Sequence, residues 1–128
     1  MAKVLVCGHS TMETTVAVER FPIEYTPTAY PFFGVQTAVS GVGYNIAKAL
    51  TTLGSDVHFL TLVGNDLPGR QIKQQATTDS IAPQFIVAAM PQTAQSVILY
   101  DKQGKRQVYT DLKDVQERPY PPNFSSKP

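Results

Sequence analysis

The sequence has a single cysteine, no tryptophan and no excess of one charge. A lone cysteine excludes an internal disulfide framework. Eleven Lys and Arg residues against ten Asp and Glu residues give a formal net charge of +1, which is too weak a field to gather nucleic acid or anionic lipid. No apolar run approaches the roughly 18 residues of a membrane span, and the run at residues 4–7 is too short for a signal peptide. We therefore expect a cytoplasmic protein that binds neither nucleic acid nor membrane.

The sequence is also poor in metal-ligand patterns. His9 and His58 lie far apart, and neither has a Cys or Asp nearby at ligand spacing, so we predict no metal site. Cys7 belongs to a short apolar run in which cysteine behaves as a small apolar residue, and no basic residue flanks it to lower the pKa of its thiol. We predict that Cys7 packs in the core.

The 128 residues are enough for one hydrophobic core, so a single domain is expected. The first part of the chain reads as strands. Residues 3–8 form an apolar run typical of a buried strand, and a loop at residues 9–12 follows. Residues 14–18 and 35–39 are predicted to be half-exposed strands, because they are rich in β-branched residues or alternate apolar with polar. The proline-containing residues 21–33 between them are predicted to be a loop.

The middle of the chain predicts helix, strand and helix. A glycine loop at residues 40–45 leads into residues 46–53, whose apolar side chains share one helical face. Residues 57–63 are a second candidate for a buried strand. A helix is expected at residues 67–77, and the position of Asp66 favours a helix cap over a catalytic base.

The last part predicts three more strands, at residues 84–89, 94–100 and 106–110. The polar turn at residues 101–105 contains a glycine and predicts a β-hairpin from the last two strands. Residues 116–128 are rich in proline and polar side chains, which favours extended or disordered backbone, or a truncated end.

The glycine loop has three local interpretations that concern nucleotides or simple turns. A dinucleotide fingerprint requires a third glycine where Ile46 stands, and a phosphate-binding P-loop requires a Gly-Lys-Ser/Thr sequence that is absent. A tight turn without any ligand also explains Gly41 and Gly43. The loop alone therefore does not decide between a binding site and a turn.

The segment GVGYNIA at residues 41–47, followed by Gly54 and Gly64, resembles the first signature of the PfkB, or ribokinase-like, carbohydrate kinases. It departs from that signature at Ser40, where the family usually has Gly or Ala. The order of predicted elements agrees with the family over roughly the first 115 residues.

This resemblance implies an α/β fold, in which a doubly wound sheet, incomplete here, carries a small β-strand lid. Residues 1–115 would form the N-terminal part of the kinase domain, with lid strands at about 12–40 and 84–110. Residues 116–128 would lie beyond it.

The resemblance also implies transfer of the terminal phosphoryl group of ATP to a hydroxyl of a sugar or nucleoside, with Mg²⁺ as a cofactor and lid strands that pair in a homo-oligomer. The second family motif, Gly-Ala-Gly-Asp, does not occur in this sequence. We therefore predict no catalytic residue in the chain, no tight binding of ATP or Mg²⁺ by it alone, and a missing part supplied by a longer protein or another chain. The alternative is a sugar-binding, regulatory or oligomerisation module without catalysis.

Carried over by position, the resemblance implies eight substrate-binding residues: Thr11, Glu13, Gly41, Val42, Gly43, Asn45, Ser96 and Ile98. Asn45 can donate to and accept from a sugar hydroxyl, although its position also suits a helix cap. Glu13 can accept from two hydroxyls, and stands where ribose-type members have the shorter Asp. Val42 stands where some members have a lysine, so the resemblance does not identify the sugar that is bound. Ser96 and Ile98 could equally be ordinary lid packing.

Overall fold

A computed structural model describes residues 3–120. Within that range the chain forms seven strands, two α-helices and two short 3₁₀ turns. The strands are β1 (Lys3–Cys7), β2 (Thr11–Ala17), β3 (Val35–Ser40), β4 (Asp56–Gly64), β5 (Ile86–Met90), β6 (Gln95–Tyr100) and β7 (Arg106–Asp111), and the helices are α1 (Val42–Thr52) and α2 (Leu67–Thr78). Neither helix has the length and apolar composition of a transmembrane segment.

Three parallel strands form the core sheet, in the order β1-β4-β5. The central strand β4 is almost wholly buried, as its uninterrupted apolar run predicts. Alternate β4 side chains, including Phe59 and Val63, join a hydrophobic cluster with Ala47 of α1 and with Ile72 and Ala76 of α2. The two helices therefore cover one face of this sheet.

Tyr44 connects the two helices. Its ring lies edge-on to Phe59 with centroids 6.0 Å apart, and its hydroxyl donates a 2.5 Å hydrogen bond to Asp79, which caps the C-terminal end of α2. Burial, and then the hydrogen bond and charge of Asp79, raise the pKa of Tyr44. The first turn of α1 is thus held against the end of α2.

Four strands form a second sheet, the lid, in the order β3-β2-β6-β7. Its middle pair, β2 and β6, is parallel, whereas β2–β3 and β6–β7 are antiparallel. The chain leaves the core for the lid between β1 and β2, returns between β3 and α1, and leaves again between β5 and β6. Met12 and Val39, at the base of the lid, pack against the hydrophobic cluster of the core.

Two strand predictions are corrected by the observed pairing. Residues 84–89 were assigned to the lid segment 84–110, but β5 pairs with β4 through Thr61 and Ile86 and belongs to the core sheet. The reason is that Ile86 packs into the hydrophobic cluster, and the chain turns towards the lid only after Met90. Strand β2 begins at Thr11, so the predicted loop at residues 9–12 is shorter than expected.

The prediction that Cys7 packs in the core is wrong, because Cys7 is exposed. Side chains of a strand alternate between the two faces of the sheet. Val6 points into the hydrophobic cluster, so Leu5 and Cys7 point to the opposite face, where Leu5 is 52% exposed. Periodicity located the strand and did not reveal which face the described chain covers.

The end of the described chain is ordered by a 3₁₀ turn, Val115–Glu117, and by an ion pair in which Arg118 lies 2.7 Å from Asp114. The prediction of extended or disordered backbone at residues 116–128 therefore does not hold for residues 116–117. Residues 118–120 form no helix or strand, and residues 121–128 lie outside the described residues.

Candidate functional site

The glycine loop lies where the chain passes from the lid back to the core, between β3 and α1. Gly41 has φ 105°, and a Cβ at this position would lie 2.6 Å from the carbonyl oxygen of His9. A Cβ on Gly43 would lie 2.7 Å from the carbonyl carbon of Gly8. Both positions therefore require glycine, because the start of α1 packs backbone to backbone against the chain that follows β1.

The start of α1 has no side-chain cap. Its N-cap residue is Gly41, which has no side chain, and the side chain of Asn45 does not cap the helix. Instead, Nδ2 of Asn45 lies 3.4 Å from Oγ of Ser40, and the side chain is exposed. The capping role considered for Asn45 is not observed, so its amide is available to a ligand.

Three polar side chains form a row across the lid. Glu13 of β2 is paired with Ser96 of β6, and Ser96 is paired with Thr110 of β7. Neighbouring strands lie about 4.8 Å apart, so the row presents a carboxylate and two hydroxyls at regular spacing. Glu13 is half-buried and forms no hydrogen bond or ion pair with any residue that the structure describes. The row is therefore an unused set of hydrogen-bonding groups.

The polar row and the glycine loop face each other across a pocket of about 240 Å³. All of the predicted site residues except Gly43 line it, and Gly43 is buried behind its wall. The further lining residues are His9, Ser40, Val108, Thr110 and Leu112. The structure thus brings together residues from β2, β6 and the glycine loop that are far apart in the sequence.

The pocket has a polar side and an apolar side. Glu13, Asn45 and the hydroxyl side chains supply donors and acceptors, whereas Ile98 and Val108 supply an aliphatic surface. No lysine or arginine of the described residues lines it. Specific pockets for small molecules combine apolar walls with a few placed polar groups, and occupy roughly 300–1,000 Å³ for drug-sized ligands. This pocket suits one small, hydroxyl-rich molecule.

A larger depression of about 470 Å³ lies at the edge of the lid formed by β6 and β7. It is lined by residues such as Val97, Tyr109 and Lys113, and Lys113 is already paired with Asp111 at 2.6 Å. It contains none of the predicted site residues. We therefore place the candidate site in the smaller pocket, where the glycine loop and the polar row of the lid converge.

Sequence reasoning missed the contribution of β7. The hairpin turn at residues 101–105 was predicted, and its pairing sets Ser96 opposite Thr110 and Ile98 opposite Val108. Residues directly opposite on an antiparallel pair share one face of the sheet. Thr110 and Val108 could therefore have been found by extending the pairing from the turn to the predicted pocket residues.

The chain as a whole matches one known family of proteins. The model of the pfkB family carbohydrate kinases matches residues 1–119. The chain belongs to the pfkB family of carbohydrate kinases. The predicted family resemblance is confirmed.

Among curated proteins, the chain is similar to the bifunctional ribokinase/ribose-5-phosphate isomerase A of Fructilactobacillus sanfranciscensis, with 26% identity over 110 residues. The match covers 85% of this chain and 20% of the relative. The chain therefore spans about a fifth of the length of this relative.

Solved structures show the same architecture. A microbiome-derived acarbose kinase matches with a TM-score of 0.77 and 25% identity, over 87% of this chain and 37% of that one. The Methanocaldococcus jannaschii nucleoside kinase matches with a TM-score of 0.74 and 23% identity, over 97% of this chain and 42% of that one. The Giardia lamblia ribokinase gives a TM-score of 0.75 and 22% identity, over 87% and 36%. The predicted ribokinase-like α/β fold, present here in part, is confirmed.

The groups that the family implies for a complete pfkB kinase, ATP and Mg²⁺, do not fit the described residues. Among residues 3–120, no three His, Cys, Asp or Glu side chains come together as a metal site. The pocket has no lysine or arginine side chain among the described residues to pair with a triphosphate. We assign neither group to these residues and derive only the chemistry of the acceptor side.

Proposed function

We propose that this chain forms the acceptor-binding part of a pfkB-type kinase that transfers a phosphoryl group from ATP to a hydroxyl of a sugar or nucleoside. The observation that carries the proposal is the convergence of the glycine loop and the polar row of the lid on one pocket. Membership of the carbohydrate kinase family supports the reaction class. The similar proteins named as ribokinase and nucleoside kinase support a sugar or nucleoside as acceptor.

The residues of the pocket can each bind a different part of the acceptor. The carboxylate of Glu13 accepts hydrogen bonds from two hydroxyls, and the amide of Asn45 both donates and accepts. Ser96 and Thr110 can each donate or accept a hydrogen bond, because a hydroxyl rotates to suit its partner. The aliphatic surface of Ile98 packs against the C–H groups of the ring. Such a site fixes the position of an acceptor, which is the main requirement of phosphoryl transfer.

The charge of the pocket indicates an acceptor without a phosphate group. Glu13 supplies the carboxyl group of the pocket, and no lysine or arginine among the described lining residues stands beside it. A sugar phosphate would bring a second negative charge close to that carboxylate, whereas a free sugar or nucleoside would not. Arg106 stands two residues before Val108 on β7 and does not line the pocket. We therefore propose an uncharged acceptor.

Calorimetric titration of the chain tests this proposal. Uncharged pentoses, hexoses and nucleosides are titrated first, and then the phosphates of the same sugars. We expect heat from an uncharged compound and at least a tenfold weaker response from its phosphate. Tighter binding of the phosphate would overturn the uncharged acceptor, and binding of no compound at all would overturn the acceptor site.

We further propose that the chain alone does not catalyse the transfer. Its 128 residues contain no Gly-Ala-Gly-Asp motif, whose aspartate the family resemblance assigns as the catalytic base. An assay of ATP consumption with the best-binding sugar should show no turnover above the rate without protein. Turnover would reveal a nucleotide site and a base elsewhere in the chain. Sugar binding without turnover would also be the result for a non-catalytic binding module.

A further inference from the structure

The buried polar side chains of the described chain lie in one region. Ser10, Thr11, Thr61 and Thr93 are each at most 4% exposed. Ser10 and Thr11 stand where the chain enters β2, Thr93 precedes β6, and Thr61 lies on the central core strand between these points. We call this group the seam, because it follows the junction between core and lid. Buried polar groups are costly unless they are hydrogen-bonded, so the bonds within the seam determine what it does.

Thr93 is held by a network of short hydrogen bonds. The N–H of Gly64 donates to Oγ1 of Thr93 at 2.8 Å, and that hydroxyl donates to Oδ1 of Asp66 at 2.6 Å. The N–H of Thr93 donates to Oδ2 of Asp66 at 2.8 Å. Both carboxylate oxygens of Asp66 therefore bind the residue from which the chain enters β6.

The other entrance to the lid has a similar anchor. The hydroxyls of Ser10 and Thr61 lie 2.9 Å apart and share a hydrogen bond. Immediately beyond the two anchors, the N–H of Met12 donates to the carbonyl oxygen of Ala94 at 3.2 Å. Both strands of the parallel lid pair are thus fixed to the core at the point where they begin.

A helix cap alone does not account for Asp66. Its Oδ1 accepts from the N–H of Gly69 at 3.0 Å, which caps α2. Capping requires one oxygen, and at an exposed helix end the second oxygen would face water. Here the second oxygen accepts from Thr93 instead. The same carboxylate joins the start of α2 to the start of a lid strand.

We propose that Asp66 and Thr93, together with the Ser10–Thr61 pair, are positioning residues that set the angle of the lid over the glycine loop. Ser96 lies three residues beyond Thr93, about 10 Å along the strand at roughly 3.3 Å per residue. A small rotation of the lid about Thr93 displaces Ser96 and Glu13 relative to Asn45. Because a misplacement of about 1 Å can reduce activity by about 100-fold, the anchors control the pocket without lining it. The effect on the pocket rests on the proposed function, whereas the effect on the lid does not.

Four variants of the chain test the Asp66–Thr93 contact. Asp66→Asn retains an oxygen for the α2 cap and for the Thr93 hydroxyl, and places an amide NH₂ against the N–H of Thr93. It therefore breaks the bond from the Thr93 backbone to Asp66 and leaves the cap intact. Thr93→Val removes the hydroxyl at nearly constant volume, and Thr93→Ser restores it. Thr37→Val removes an exposed hydroxyl from β3 and serves as the matched control.

Native-state amide hydrogen exchange is measured for each variant. In Asp66→Asn and Thr93→Val we expect exchange in β2 and β6 to accelerate by about tenfold or more, which corresponds to the loss of one net hydrogen bond. In Asp66→Asn the amides of α2 should keep their wild-type rates. Thr93→Ser and Thr37→Val should remain close to wild type throughout. Unchanged exchange in the lid, or equal acceleration in α2 and lid, would overturn the anchor. If Thr93→Val does not fold, Asp66→Asn decides.

The sugar affinity of the same variants tests the consequence for the pocket. For the best-binding uncharged sugar of the wild-type chain, the Kd should rise about tenfold in Asp66→Asn, although Asp66 does not line the pocket. Thr93→Ser keeps the hydroxyl at this position and should therefore bind the sugar with a Kd close to the wild-type value. A wild-type Kd in Asp66→Asn with accelerated lid exchange would overturn the positioning role. If the wild-type chain binds no sugar, the proposed function fails, and hydrogen exchange still decides whether the seam anchors the lid.

Discussion

At the scale of single residues, the pocket combines groups that lack partners with groups that are fully constrained. Glu13 has hydrogen-bonding capacity and no described partner, and the amide of Asn45 makes one long contact with Ser40. Gly41 is fixed by the carbonyl of His9. A rigid backbone with unsatisfied side chains is what a preorganised site for a polar ligand requires.

Glu13→Gln should weaken binding of the uncharged sugar by about 10- to 100-fold, because hydrogen bonds to a charged group contribute about 1.5–3 kcal/mol each. The amide has nearly the same shape and accepts fewer hydrogen bonds. Titration calorimetry of both proteins measures the change. Glu19→Gln, at a highly exposed glutamate beyond the end of β2, is the matched control and should leave the Kd unchanged. Equal affinity of wild type and Glu13→Gln would remove Glu13 from the site.

Gly41→Ala should destabilise the fold by about 1–3 kcal/mol more than Gly104→Ala. Both glycines have positive φ, so both substitutions strain the backbone, but only the Cβ at position 41 meets another atom, at 2.6 Å. A Cβ on Gly104 has open space. The free energy of unfolding in urea gives both values. Equal losses would show that the contact with His9 relaxes without cost.

At the scale of helices and strands, most element types follow from the sequence. The apolar run of β4, the helical face of α1 and the cap at Asp66 each depend on neighbouring residues, and each is found near its predicted position. The sheet to which β5 belongs depends on pairing with β4, which no local pattern encodes. The exposure of Cys7 depends on which face of the core sheet is covered. Pairing and coverage are long-range properties, so pattern alone does not predict them.

The pocket was predictable to a similar extent. The glycine loop was located from its local motif and Glu13 by its position in the family resemblance, and both line the pocket. Val108 and Thr110 were missed because they join the site only through the β6–β7 pairing. Gly43 was assigned to the pocket wall, whereas the close approach of Gly8 places it behind that wall.

The contact between α2 and the lid should make the free energy of unfolding depend on pH in the acid range. Partial burial raises the pKa of Asp66, but hydrogen bonds from Thr93 and Gly69 and the charge of Arg70 outweigh it, so the pKa lies below the ordinary value of 3.8. The unfolded chain then binds the proton more readily than the folded chain. The contribution of Asp66 is therefore present above about pH 4 and is lost as the pH falls through the lower, folded-state pKa.

Urea unfolding of wild type and Asp66→Asn between pH 6 and pH 3 checks this expectation. The difference in free energy of unfolding should be largest at pH 6 and should shrink below the ordinary pKa of 3.8. If the difference in free energy of unfolding stays constant from pH 6 to pH 3, the ionised carboxylate of Asp66 adds no stability beyond that of the amide. Asp101→Asn, in the exposed hairpin turn, is a control for general acid effects.

At the scale of the whole molecule, the described chain leaves much apolar surface uncovered. The loop between β2 and β3 exposes Tyr25, Phe32 and Phe33 by 86%, 84% and 98%. The lid ends in two unpaired edges, β3 and β7. Exposed apolar patches and open strand edges promote association between chains. The prediction of a homo-oligomer formed through lid strands has a physical basis in these features.

We expect the purified 128-residue chain to self-associate. Sedimentation velocity over a range of concentrations should show species larger than the monomer. The double variant Phe32→Ser, Phe33→Ser should shift the distribution towards monomer, because it removes the two most exposed neighbouring aromatic side chains of the loop. Lys102→Ser, in the hairpin turn, provides a surface control. A monomer at all concentrations with one sharp unfolding transition would contradict the expectation.

The parallel pair at the centre of the lid determines when the pocket can form during synthesis. Strand β2 lies near the start of the described chain, and its inner partner β6 lies near the end. On the ribosome, β2 and β3 emerge well before β6, and β2 lacks a partner along one edge until β6 follows. Contacts between distant segments form late, because their loop-closure entropy must be overcome first. The growing chain therefore carries an unpaired edge on β2, and the pocket is complete only after the last two strands have been translated.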